Sequence, residues 1–372
     1  MNNTMRIITI KGIPVEIHVS WFLAFFLFTI FLSLGYFPLE AADLPMLNYW
    51  LAGLLTTLFI FVSVLTHEFG HSLVAIKEGI PIKKIVLFIF GGVAQMEAEP
   101  ATPSAEFKIT AAGPLTSLLI ALFLGAIYYL SGTGEHIIGK ALFFLIRLNF
   151  IVALFNLIPA FPLDGGRLLR AVIWQFIKNL LKATRIAVNI GSFFSFLGMG
   201  IGFLLIFLNS DISGLWLIFL GWMIYQAGQS SYSQLVFKET FSGMKISEIM
   251  SANPQTVSPD VTLDELADQF LLYKFGAFPV VYGSTTHGLV SLQNLREIPR
   301  EKWPDTRVSQ IMTPLKEIMV TEPDKDAAAV MMKMAAENTG RALVMDRGDL
   351  VGLISRTDMM KFIQMHMILG TD

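Results

Sequence analysis

From Val19 to Phe37 the chain carries no charged side chain. A helix of that length matches the roughly 30 Å hydrocarbon core of a bilayer. Further apolar runs follow at about Tyr49–Thr66, Ile109–Leu130, Ala141–Ile158, Ile186–Leu208 and Ile212–Gln226. In lipid the backbone must satisfy its own polar groups, which restricts such runs to helices. Six membrane-spanning helices are expected, the fifth and sixth joined by a tight hairpin at Asn209, Ser210 and Asp211. The first run is longer than a signal-peptide core and lacks a clean small-residue cleavage site, so it reads as an anchoring span.

Charge divides the chain. Residues 1–240 hold 14 Lys and Arg and 12 Asp and Glu, whereas the last 132 residues hold 13 and 17. An α-helical polytopic membrane region over 1–230 is therefore expected, then a linker over 231–244 and a soluble α/β part. Arg6 and Lys11 precede the first span, Lys77, Lys83, Lys84 and Lys108 follow the second, and Arg167, Arg170, Lys178, Lys182 and Arg185 follow the fourth. The alternate loops hold Glu40, Asp43, Glu135 and Asp211, with Lys140 as their only basic residue. Positive charge accumulates on the cytoplasmic side, so a multi-pass protein of the cell membrane with both termini cytoplasmic is expected. The net charge of −2 gives no basic footprint, and no nucleic acid is expected as a partner. With no cysteine, a disulfide framework, a thiol nucleophile and any thiolate metal site are excluded.

The second apolar run ends in His67-Glu68-Phe69-Gly70-His71. One helical turn separates His67 from His71, so both imidazoles can converge on one Zn²⁺ while Glu68 reaches a metal-bound water. A hydrolytic zinc site wants a third protein ligand and an open position. Asp164, in Asn156-Leu157-Ile158-Pro159-Ala160-Phe161-Pro162-Leu163-Asp164-Gly165-Gly166, is the candidate at the same cytoplasmic depth. Two prolines break the fourth span there, and two glycines are expected to permit a sharp turn after Asp164.

These two motifs, in this order and on two apolar spans, resemble the site-2 protease family of intramembrane zinc metalloproteases (peptidase family M50 type). The resemblance covers residues 1–230. It implies one zinc per chain held by His67, His71 and Asp164, with Glu68 as the catalytic base. The implied activity is peptide-bond hydrolysis in or near the membrane segment of a single-span substrate, in contact with membrane lipid. The family's short membrane-associated β-hairpin corresponds to Ile85–Phe90 and the following Gly91 and Gly92, whose open strand edge can pair with substrate. Gly113, in Ala111-Ala112-Gly113-Pro114, resembles a small-residue motif expected at close helix approach or substrate passage. Asn149 and Asn156 share a helix face, and either can donate to the scissile carbonyl or bond another helix. Arg147, mid-span, is expected to be paired structurally.

The C-terminal part is duplicated. Ile246-Ser247-Glu248-Ile249-Met250 recurs as Val308-Ser309-Gln310-Ile311-Met312, and Gly288-Leu289-Val290-Ser291 as Gly352-Leu353-Ile354-Ser355. This resembles a tandem pair of CBS domains, at 245–300 and 306–368. The resemblance implies an adenine nucleotide (ATP, ADP or AMP) contacted by Ser355, Thr357 and Asp358, and a homodimer through the pair. In the first repeat Asn294 stands where Asp358 stands in the second. Met331, Met332 and Met334 read as core. The competing reading is a CBS-regulated transporter or channel with a structural metal, which needs neither Glu68 beside paired ligands nor Asp164 at their depth.

Overall fold

The computed structural model of the protein describes residues 4–209, 212–241 and 243–369. Two compact units divide the chain, Met1–Ser233 and Gln234–Asp372.

The first unit opens with β1 (Thr4–Ile10) and β2 (Ile13–His18), two strands the apolar runs did not announce. Their signal is the alternation of Ile13, Val15 and Ile17, all buried, with Pro14, Glu16 and His18. Next come α1 (Val19–Ile30), a π-helical turn (Phe31–Tyr36) and α2 (Phe37–Glu40), then α3 (Met46–Lys77), β3 (Ile82–Phe88) and β4 (Gly91–Met96). The unit continues with α4 (Pro103–Ser131), α5 (Ile137–Asn156), α6 (Asp164–Ile177) and α7 (Leu180–Asn209), and α8 (Ser213–Phe241) carries the chain onward.

Among the described residues, five helical segments are long and apolar enough to cross a membrane: Val19–Glu40, Met46–Lys77, Pro103–Ser131, Ile137–Asn156 and Leu180–Leu208. The sixth expected span falls in α8, where Gln226, Gln229, Ser231 and Ser233 dilute the apolar half. Ser210 and Asp211 of the expected hairpin lie outside the described residues. The expected linker also differs. Its residues 231–241 are the end of α8, which stays helical because Leu235 and Phe241 are buried. Gly243, at φ +77°, adopts the left-handed backbone that glycine tolerates.

The four strands form one sheet in the order β1-β2-β3-β4. A lone hairpin is marginal in stability. Here β3 and β4 pair antiparallel, Val86 opposite Val93, while β3 also pairs parallel with β2, Val15 opposite Ile85. Buried Ile85 and Leu87 share a layer with Val15 and Ile17. Lys84 bonds Glu16 across the strands at 2.7 Å and holds that carboxyl below its usual range. One edge of the sheet is β4, open on the side away from β3.

The second unit interlocks its two repeats. Ser251–Ala252 of the first repeat pairs with Asp349–Ser355 of the second, and Thr313–Pro314 pairs back onto Thr285–Ser291. The lead-in turns cross the same way. Ile246 is buried in the second repeat's core with Met334, Val344 and Ile354, and Val308 in the first repeat's core with Leu266, Phe278 and Val290. Met331 and Met334 are core as expected, but Met332 is 59% exposed because its position turns outward on that helix.

Candidate metal centre

In the last third of α3, His67 and His71 stand one turn apart, both buried. Asp164, the first residue of α6, faces them. The two Nε2 atoms are 3.2 Å apart, and each is 3.3 Å from Asp164 Oδ2. Ligands at roughly 2.0–2.1 Å from a tetrahedral zinc stand about 3.3 Å from one another. The triangle therefore has the edge length of a zinc coordination face. Among the described residues this is the cluster of three His and carboxylate groups able to hold a metal.

The outer ring atoms say which way the imidazoles are presented. His71 Nδ1–H donates to the Ile109 carbonyl at 2.7 Å, so its Nε2 carries a lone pair toward Asp164. His67 Nδ1 lies 2.8 Å from Ser117 Oγ. Electron-rich atoms so close repel unless a cation sits among them, so the residues fit the metal. Neither α4 contact is obvious from the motif, although Ser117 lies one turn beyond Gly113 on the same face. Ser117→Ala is expected to weaken zinc binding by about 10-fold to 100-fold, read by chelator competition.

Glycine makes the cluster possible. A Cβ on Gly113 would sit 2.1 Å from His71 Nε2 and 2.6 Å from His67 Nε2. Gly113 thus marks a close approach of α4 to the metal ligands. At Gly165 a Cβ would lie 2.3 Å from the Leu157 carbonyl oxygen, and at Gly166 it would lie 2.3 Å from the Phe161 nitrogen. The pair does not make a turn, since α6 begins at Asp164. It lets the Leu157–Leu163 loop fold back onto the helix's first turn.

Glu68 comes to β4. Its carboxylate accepts the Ala94 N–H at 3.1 Å, and a Cβ on Gly92 would lie 2.7 Å from Glu68 Cγ. Ala94 and Gly92 share the strand's outward register, so the open sheet edge runs along the acid. Gly91, at φ +135°, needs glycine to leave the hairpin turn. A cavity of about 690 Å³ joins these parts, lined by His67, Glu68, Gly92, Asn156 and Asp164 among others. Asn149 also lines it, but its amide already donates to Ser63 Oγ at 3.2 Å and the Leu145 carbonyl at 2.9 Å. The Asn156 side chain also lines the cavity and has no hydrogen-bond partner among the described residues.

Behind the site, Glu106 of α4 is fully buried against Arg170 of α6. Arg170 Nε donates to Glu106 Oε1 at 2.8 Å and its Nη2 bonds the same oxygen. Arg167 Nε is 3.8 Å from that carboxylate, and the Arg170 guanidinium lies 4.9 Å from the Phe161 ring centre. The sequence motifs did not single out Glu106.

In the second unit, Ser355 Oγ bonds Asp358 Oδ2, and the Asp358 N–H donates back to Ser355 Oγ at 3.2 Å. Ser291 and Asn294 repeat this in the first repeat. Both are helix N-terminal capping pairs. Thr357 is exposed. A cavity of about 310 Å³ in this unit is lined by Met319, Thr321, Lys325 and Lys333 among others, and by none of Ser355, Thr357 and Asp358.

A profile of peptidase family M50 matches residues 55–140 and 133–198, and one of the CBS domain matches 246–301 and 308–365. The chain is 32% identical to a candidate zinc metalloprotease of Synechocystis, over 98% of this chain and 96% of that one. It is 33% identical to a zinc metalloprotease of Methanocaldococcus jannaschii, over 97% and 96%. A solved site-2 protease from Methanocaldococcus jannaschii aligns with 61% of this chain and 94% of its own, at 33% identity and a TM-score of 0.42. The two full-length metalloprotease relatives disfavour a transporter. The site-2 protease family implies zinc. The chain is a zinc metalloprotease of peptidase family M50, the site-2 proteases, joined to a tandem pair of CBS domains.

Proposed function

We propose that this metalloprotease cuts single-span, membrane-anchored proteins within or next to their membrane segment, with His67, His71 and Asp164 holding one zinc. The carrying observation is the triangle of three donor atoms at 3.2–3.3 Å beside a carboxylate tied to an open strand edge. When bound, zinc polarises a carbonyl and eases deprotonation of water. The chain's own groups supply the rest. Glu68 accepts the proton, and the Ala94 N–H keeps its carboxylate aimed into the cavity. The edge of β4 at Gly92, next to the Ala94 N–H that Glu68 occupies, holds the substrate extended, which exposes a carbonyl that a helix would hide. Asn156, with its amide free, donates to that carbonyl.

Glu68→Gln tests the reading, because it keeps the shape and removes the base. Zinc content is expected to remain at one per chain while cleavage of a single-span test protein in detergent falls by about 100-fold or more. Undiminished cleavage by this variant overturns the assignment. Stripping the wild type with a chelator is expected to abolish cleavage, and added zinc to restore it.

The finer architecture belongs to the same proposal. Six crossings, with α8 supplying the sixth, put both termini and the CBS pair in the cytoplasm. The protease part spans 1–230, and the CBS repeats span 245–300 and 306–368. The CBS pair senses an adenine nucleotide and joins two chains. Ser355 and Asp358 would have to release their mutual bond to contact a ribose.

A further inference from the structure

Arg147 lies ten residues from Ile137 and nine from Asn156 on a 20-residue span. That is about 15 Å from either end, the middle of the bilayer. No acidic partner stands beside it among the described residues. The side chain is exposed, and its guanidinium lies 5.8 Å from the centre of the Phe143 ring and within electrostatic reach of the Tyr36 hydroxyl. A charge at this depth is costly and is kept for function.

Its position on the helix says what it faces. Arg147, Ile151 and Phe155 follow at intervals of four, one stripe of α5. Ile151 and Phe155 both line the cavity that contains Glu68 and Asp164. The cavity also takes in Leu148, Asn149, Val152 and Asn156, so Ile151 and Phe155 form the border of α5's cavity face nearest Arg147. Arg147 therefore stands one helical turn from Ile151, at the border of the cavity and toward the Ile137 end of α5.

We propose that Arg147 is a specificity residue that pairs with a carboxylate in the substrate's membrane segment, one to two turns to the far side of the cut bond. This rests on the protease reading above. A bidentate Arg–carboxylate pair is the strong form of such a contact, and it removes both charges from lipid. Lipid headgroups lie about 15 Å away at either surface. A second copy docking through the same stripe would set Arg147 against its own like charge.

The test uses the zinc-loaded full chain in vesicles with a family of single-span substrates. Each carries Leu, Glu or Lys at one membrane position, scanned over two turns beyond the cut. At the matching position the wild type is expected to cleave the Glu substrate at least about tenfold faster than the Leu substrate, with Lys slowest. Arg147→Lys should retain the order and Arg147→Leu should flatten it. Arg147→Glu should invert it, a gain on the Lys substrate that a misfolded variant cannot show. Equal rates at every scanned position, or a Glu preference that persists in Arg147→Leu, overturn the proposal. If the wild type cleaves no substrate at all, the protease reading falls and this inference with it.

Discussion

Gly113→Ala is expected to remove zinc from the protein while leaving it folded. The added methyl would lie 2.1 Å from His71 Nε2 and 2.6 Å from His67 Nε2. Contacts that short force something to move. The imidazoles cannot retreat cheaply, since each is fixed through its other nitrogen, to Ile109 and to Ser117. Moving either ring breaks a triangle whose edges are already those of a zinc site. Zinc affinity should fall on the order of 100-fold or more, with cleavage falling in parallel. Metal analysis of the purified variant, beside its thermal unfolding, checks this. A Gly113→Ala protein that holds one zinc per chain at wild-type affinity would show that α4 does not press on the ligands.

Glu106→Ala is expected to be the most destabilising single change near the site. The carboxylate is fully buried, and its loss leaves the Arg170 guanidinium, 6% exposed, without its partner. Breaking one side of a buried pair costs about 3–5 kcal/mol. Replacing both residues by Met removes the orphaned charge, so that double variant should recover much of the loss. Unfolding in mixed detergent measures both, and zinc competition reports the consequence, since α6 carries Asp164 as well as Arg170. If the double variant is no more stable than Glu106→Ala, the pair is not what seats α6 on α4.

Much of the site is legible in the chain because its strongest signals are local. One turn of helix sets His67 against His71, and a charge-free run announces a span wherever it occurs. The duplicated C-terminal motifs show at an offset of 62 to 64 residues for the same reason. Short elements whose stability comes from partners are harder to see. The alternation in Ile13–His18 is six residues long, and it becomes a strand because β3, far along the chain, supplies its neighbour. The end of α8 looks like a linker until its Phe241 meets the second unit's core.

Some residues were visible, but their contacts were not. The amide of Asn149 is occupied by Ser63 and Leu145, while that of Asn156 has no partner among the described residues. Ser355 and Asp358 cap a helix and each other. Gly165 and Gly166 serve a close approach of backbone, not a turn.

The sequence by itself determined that this chain has an apolar helical part, a His-Glu-x-x-His helix with a distant aspartate, and a duplicated α/β module. Those follow from composition, spacing and period. Only the tertiary structure decided that three donor atoms meet at 3.2–3.3 Å, that Gly113 leaves room for them, and that β4 is the open edge beside Glu68. It also decided that Arg147 faces outward, with no acid beside it among the described residues. Distances between residues far apart in the chain are set by the packing of whole helices and strands, and no local pattern carries them.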